Sequence, residues 1–528
     1  MKTLLPVLLV ILACNQITSY RILGVFPLHG KSHWSTQEAL MKDLAARGHQ
    51  VDVVTQFPQE KPIPNYKDIS LKGSLPQVIN NVTAADISNF GGTSINSLVE
   101  MAGTSVCRLL AHPKMQELIK NSPHENPPYD IVIVESFVAP CFLAFGRYLK
   151  VPLVVTVTSI FHDWLNDLSG NPMNPAYVTS LFAPFSQRMN FKERLTNFFL
   201  KHYLTWQMYY YTNQQQLPLV KEYFGLDLPH INDLFKDVSV YLVNSHYSLN
   251  GIRPLTTNVI EIGGLHVRDD NTPLSPEVKK WLDESTHGCI YFTFGSMVRI
   301  ETFPKELLQQ IYASFEKIAP VRILMKIAKK EELLPGLPKN VMTQSWFPQI
   351  TVLKHKNIRA FITHGGLLGT QEAVHVGVPM IGIPLFGDQR INIKNYVNKN
   401  VAISLNSVEE VTEEKLTSAL NTILKDSSYY ENVKKLSKQF LDRPTNASDM
   451  AVFWVEYVAK YGNILQSPAL DLNWWQYHLL DIYALIFAVI TTVLFTALFV
   501  LRKLKKLVFG SRPGVKKDSV ATKSKKNK

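Results

Sequence analysis

A chain of 528 residues that is 46% hydrophobic and 19% charged has the make-up of a globular protein of two or three domains carrying a membrane segment. The net charge of +12 invites a nucleic-acid reading until it is located: residues 502–528 hold eleven Lys and Arg against the single Asp518, which leaves the rest of the chain near neutral. A basic face spread over the folded part is thereby excluded, and with it a nucleic-acid partner.

The N-terminus begins with Lys2, an apolar stretch Leu4–Cys14 and the small pair Thr18-Ser19, the pattern of a secretory signal peptide over residues 1–19. From Tyr20 the pattern alternates strand and helix. Arg21-Ile-Leu-Gly-Val-Phe-Pro is a β-type run, and Trp34–Arg47 carries Leu40/Leu44 and Met41/Ala45 at helical spacing with Gly48 as a stop. Further strands are expected at 51–55, 130–134, 151–157 and 238–243. The aromatic stretch "HYLTWQMYYYTNQQQ" at 202–216 reads as a packed amphipathic helix, with the lining of a hydrophobic pocket or a membrane contact as the alternatives. Residues 20–249 thus form a first α/β domain, and the proline-bearing stretch 250–285 a linker.

A second strand–helix series follows over 286–445, with strands at 289–294, 322–326, 341–345, 360–363, 380–383 and 401–405. The expected fold class is α/β, two facing Rossmann-like domains with a ligand cleft at their C-terminal strand edges. Residues 446–481 make a C-terminal helix and a juxtamembrane segment rich in Trp and Tyr. Ile482–Leu501 is uncharged over twenty residues, about 30 Å as a helix, the thickness of a bilayer core. The basic tail 502–528 then lies in the cytosol by the positive-inside rule, and the bulk of the chain on the other side. The sequons at Asn81 and Asn446 fit lumenal exposure as N-glycosylation sites. Without the signal segment three cysteines remain, Cys107, Cys141 and Cys289; none has metal-ligand spacing, and they are expected as buried free thiols.

Where strand 360–363 gives way to a helix stands "THGGLLGTQEA", residues 363–373. Glycines at a helix N-terminus let an anion reach free N–H groups and the positive end of the helix dipole. The Gly-x-Gly-x-x-Gly fingerprint follows the first strand of neither half, which argues against hydride transfer. The wider stretch "WFPQITVLKHKNIRAFITHGGLLGTQEAVHVGVPMIGIPLFGDQ", 346–389, resembles the signature of the UDP-glycosyltransferases, the family that includes the UDP-glucuronosyltransferases. The likeness extends to "SHW" at 32–34, "GGLH" at 263–266, "FGS" at 294–296 and the ends of the chain, with the look of the insect-type, membrane-bound members.

That resemblance implies a GT-B arrangement and an inverting transfer of a hexose from a UDP-sugar to the hydroxyl of a small lipophilic acceptor, in detoxification or the conjugation of endogenous metabolites. It implies that Trp346 stacks on the uracil and Gln349 reads its edge. His364, Gly365, Gly366, Gly369 and Ser296 would hold the diphosphate, Glu372 the ribose hydroxyls, and Asp388 and Gln389 the sugar. Arg253 lies where some members place a cation near the donor. Leu368 departs from the pattern, since many vertebrate members have Asn there.

The acceptor hydroxyl needs a base of near-neutral pKa, and two histidines compete for the part. His33 stands at the start of a helix whose positive end would keep the ring neutral; His29 is the other choice, and "SHW" favours His33. Its expected partner in "YDIVIVES" is Glu135, where the family commonly has Asp, so that either a competent or a weakened pair is implied. A catalytically silent UDP-sugar-binding membrane protein is the alternative. No cofactor and no metal are expected, the UDP-sugar being a co-substrate, and UDP-glucose is the favoured donor over UDP-glucuronate. Lys525 and Lys526, near the C-terminus, resemble a dilysine retrieval signal of the endoplasmic reticulum, the expected membrane. A homo-oligomer is compatible with the sequence.

Overall fold

The computed structural model describes residues 19–91, 94–121, 126–268 and 272–510. Residues 1–18 of the expected signal segment, and Lys525 and Lys526 of the expected retrieval signal, lie outside the described residues. Residues up to Ser467 form one unit built on two parallel sheets.

The first sheet comprises β1 (Arg21–Phe26), β2 (Gln50–Thr55), β3 (Tyr66–Ser70), β4 (Ile131–Glu135), β5 (Leu153–Val157), β6 (Val238–Val243) and β7 (Val259–Glu261) in the order β3-β2-β1-β4-β5-β6-β7. The second comprises β8 (Cys289–Thr293), β9 (Arg322–Lys326), β10 (Val341–Gln344), β11 (Ile358–Thr363), β12 (Met380–Gly382) and β13 (Ala402–Ser404) in the order β10-β9-β8-β11-β12-β13. Both are the doubly wound order of a Rossmann fold, whose strands end at a common edge where ligands bind.

The central strands are apolar throughout because helices cover both faces. Ile131 and Ile133 of β4 pack into one layer with the helix Lys31–Ala46, while Val132 and Val134 enter the opposite layer. Cys289 and Tyr291 of β8 are divided from Ile290 and Phe292 in the same way. The strands without a continuous apolar run, β3 and β7, lie at the sheet edges, and β7 falls inside the stretch 250–285.

The halves are joined at several places. Residues 78–87 leave the first half, where Val78 N donates to His29 O at 3.1 Å, and pair with the loop after β8, where Asn80 N donates to Ser296 O at 2.9 Å and Val82 bridges Val298. Val82 and Ile87 are then buried in the core of the second half. The buried Gln371 of the second half spans to the first, donating to Asn244 O at 3.1 Å and accepting from Gly264 N at 3.1 Å. The helix Ala447–Tyr461 returns to the first half and buries Ala451, Val452, Val455 and Val458 there.

The aromatic stretch lies in a helix of 34 residues, Phe191–Phe224, opened by a capping box between Asn190 and Glu193. Its buried face is Leu204, Thr205, Met208, Thr212 and Gln216, whereas Tyr203, Trp206 and Tyr210 are exposed. The helix is thus amphipathic and packed as expected, and its rings divide: Tyr209 and Tyr211 pack against the core, Tyr209 donating to Trp164 O at 2.8 Å, while Tyr203, Trp206 and Tyr210 lie on the other face. Residues from Pro468 form a separate unit whose helix Leu480–Phe509 is long and apolar enough to cross a membrane.

The cysteine expectation needs correction. Cys107 and Cys141 form a disulfide across a separation of 34 residues, and Cys289 alone is free among the described residues, buried with its thiol pushed up to about 12 by that burial. An odd count with no motif spacing hid a pair that the fold brings together. Closing a loop of this length stabilises by about 2–4 kcal/mol. Cys107→Ala is expected to lower the melting temperature, and non-reducing peptide mapping of the wild type to recover the Cys107–Cys141 pair.

Candidate active site

Register dictates the first half of the site. Val25 of β1 lies beside Val134 of β4, so the loop leaving β1 carries His33, in the first turn of its helix, over the end of β4 at Glu135. Glu135 in turn pairs with Thr156 of β5, which sets Thr158 two residues beyond. His33 Nδ1 is 2.6 Å from Glu135 Oε1, and Thr158 Oγ1 is 2.8 Å from both atoms.

These contacts fix the protons. The threonine hydroxyl donates to the carboxylate, which only accepts, so the proton between His33 and Glu135 sits on Nδ1. In the neutral ring Nε2 is thereby left with its lone pair free. The helix dipole was expected to keep the ring neutral, but the balance runs the other way. Burial lowers the pKa of His33, while the charge and hydrogen bond of Glu135, with a smaller share from Asp388, raise it above its ordinary value. His29 differs: its Nδ1 is buried without a hydrogen-bond partner, and burial followed by the charge of His33 lowers its pKa.

The second sheet supplies the opposite wall. Gly295 after β8 has φ +80°, and a Cβ there would stand 2.7 Å from the ring of His364. Gly365 has φ +88°, and Gly366 caps the helix Leu367–Val376, again with no room for a Cβ beside His364. His364 is held neutral, at about 4, by burial and then by the charge of Lys326. Gln349 Nε2 donates to Glu372, and burial pushes Glu372 up to about 7 against that hydrogen bond. Gly369 leaves space for the Gln349 amide, which a Cβ would meet at 3.2 Å. Gln389 Oε1 accepts from Leu385 N and Phe386 N at 2.8 and 3.0 Å, so its amide N–H groups are what remain for a ligand. Asp388 is oriented by Asn392 Nδ2 at 2.9 Å.

One cavity of about 890 Å³ joins the two walls. His33 lines it together with Ser296, Trp346, Gln349, His364, Gly366, Gly369, Glu372, Asp388 and Gln389. Glu135 stands behind His33, and Gly365 is buried behind its neighbours. The end of the cavity beyond His33 is apolar, formed by Leu98, Met101, Phe137, Trp164, Phe182 and Leu204. Arg253 is not among the lining residues; its guanidinium donates to Phe161 O at 3.3 Å and faces Glu261 and Asp163.

Residues 22–513 match the family model described as UDP-glucoronosyl and UDP-glucosyl transferase. The chain belongs to the UDP-glycosyltransferase family. Among similar proteins, a UDP-glucosyltransferase 2 of Dactylopius coccus is 38% identical over 467 residues, 87% of this chain and 88% of that one. UDP-glucuronosyltransferase 1A7 of Homo sapiens is 31% identical over 513 residues, 92% of each chain. A solved Medicago truncatula structure, complexed with UDP-glucose, shares the fold with a TM-score of 0.56 at 17% identity, covering 84% of this chain and 99% of that one.

In this glycosyltransferase two site residues escaped the sequence reading. Thr158 follows the run "LVVTV" and shows its place only through the β4–β5 register. Lys326 is the one charged residue after "ILM" at the end of β9, where a lysine closing an apolar strand is the only signal. In ¹⁵N-histidine NMR the His33 ring is expected to titrate above 6.5 in the wild type. In Glu135→Gln the larger raising influence is lost and burial is opposed only by the smaller one of Asp388, so its midpoint moves down.

Proposed function

We propose that this transferase moves glucose from UDP-glucose to the hydroxyl of a small lipophilic acceptor, releasing a β-glucoside and UDP. The observation that carries the reading is the free Nε2 face of His33, between an apolar chamber and the half-buried Asp388 with the buried Gln389. An acceptor seated among Phe137, Trp164 and Leu204 would present its hydroxyl to Nε2. The hydroxyl proton passes to Nε2 as the oxygen bonds to C1 of the sugar from the face opposite UDP. The C1–O bond to phosphate breaks, its electron pair leaves on UDP, and Glu135 stabilises the imidazolium formed. Trp346 and Gln349 take the uracil, Glu372 the ribose, and Ser296, His364 and the N–H groups at Gly365 and Gly366 the diphosphate.

Glucose is favoured over glucuronate by charge. A sugar carboxylate near Asp388 would meet a second carboxylate. Of the cavity's two lysines, Lys31 pairs with Glu38 at 3.7 Å and lies over Phe57, and Lys326 lies beside Gly295 and the Trp346 ring, on the nucleotide side rather than beside Asp388. The 2.6 Å contact of Glu135 with His33 supports a competent rather than a silent pair. The basic tail, the signal segment and the sequons Asn81 and Asn446 support a type I protein of the endoplasmic reticulum membrane with its site in the lumen, suited to conjugating lipophilic foreign or endogenous compounds.

The test is transfer from labelled UDP-glucose and UDP-glucuronate to a panel of phenols, in membranes holding the wild type or His33→Ala. Glucosides are expected, with the rate lower by about 10²–10⁴-fold in the variant. Glucuronides alone, or a variant as fast as the wild type, would refute the assignment of sugar or base respectively.

A further inference from the structure

The donor wall contains a buried cation to which no role has yet been given. Lys326 ends β9, beside β8, whose following loop carries Gly295 and Ser296. Its ammonium donates to Gly295 O at 2.9 Å and to Asn80 Oδ1, and lies 5.7 Å from the centre of the Trp346 ring. An ammonium has three N–H groups, so one remains for the cavity that the residue lines. Lys326 is only 5% exposed, and among the described residues no carboxylate stands within ion-pair distance of it. Burial accordingly pushes its pKa down to about 8, with Glu301 opposing from further away.

A charge taken out of water without an ion-pair partner is costly, and the cost is relieved when an anion enters. The surroundings suit an anion. The neutral His364 beside it has a buried Nδ1 without a partner, and the N-terminus of the helix Leu367–Val376 opens on the same space. Leu368 brings no polar side chain there, and backbone N–H groups contribute only partial charges against the two of a diphosphate.

We propose that Lys326 is the counter-cation of the nucleotide's diphosphate, held in place by Asn80. This rests on the reading of the cavity as a UDP-sugar site. Asn80 belongs to the strap 78–87 that leaves the first half, so the acceptor-side chain positions the group that meets the leaving phosphate. As the bond to C1 breaks, the diphosphate gains negative charge, and the ammonium stabilises the departing UDP more than the bound donor.

The experiment measures binding of UDP and of uridine, separately, to the full-length chain in lipid nanodiscs, for the wild type, Lys326→Met and Lys326→Arg. Lys326→Met is expected to weaken UDP by about 10- to 100-fold, the worth of a hydrogen bond to a charged group. Uridine binding should stay unchanged, which also shows that the variant is folded, and Lys326→Arg should recover most of the loss. Equal weakening of UDP and uridine would mean that Lys326 merely supports Trp346, and unchanged UDP binding would refute its role outright. A wild type that binds neither would refute the UDP-sugar reading itself, and this proposal with it.

Discussion

A sugar donor and an acceptor can react only if two sheets, each folded around its own core, hold their C-terminal edges against one shared space. That constraint is met by buried contacts far from the chemistry. Gln371 bonds to the first half at both ends of its amide, the helix Ala447–Tyr461 crosses back to pack on it, and the strap 78–87 inserts Val82 and Ile87 into the second core. Each tie contributes hydrogen bonds or apolar burial that are lost if the halves part. The cleft is thus a property of the folded unit.

Within the cleft, the His33 pair illustrates how one methylene is accommodated. Glutamate reaches further than the aspartate common in the family, and an unrestrained carboxylate would have several rotamers to choose from. Thr158 removes that freedom by donating to the oxygen that His33 uses. The same hydroxyl leaves Nδ1 as the only site for the shared proton, so tautomer and orientation are set together. The sheet register places all three groups, since Glu135 ends β4, Thr158 follows the neighbouring β5, and His33 follows β1 on the other side of β4.

Much of this was legible in the sequence because it was carried locally. Apolar runs such as "IVIVE" and "CIYFT" announce buried parallel strands, and the long signature 346–389 carries Trp346, Gln349, His364, Gly366, Gly369, Glu372, Asp388 and Gln389, which line the cavity together. What was not legible depends on contacts distant in the chain. The edge strand "YKDIS" is half exposed and lacks an apolar run, and Cys107 and Cys141 meet only once the helices around them pack. The strap shows no pattern of its own, because its strand-like pairing is made with a loop more than two hundred residues away. The position of Arg253 suggests a donor-side cation only by resemblance, and its guanidinium is instead taken up by Phe161 O and nearby carboxylates. Along the helix Phe191–Phe224 the aromatic residues divide between faces, Tyr209 and Tyr211 packing inward and Trp206 and Tyr210 exposed, which a count of aromatic residues alone cannot reveal.

The central claim is that the acceptor oxygen attacks C1 directly, deprotonated by His33, from the side opposite the departing UDP. The anomeric configuration of the product, read by proton NMR after transfer from the α-linked donor, tests it most directly. A β-glycoside is the result the account predicts. An α-glycoside would require a second displacement or attack from the nucleotide's own side, and would contradict it.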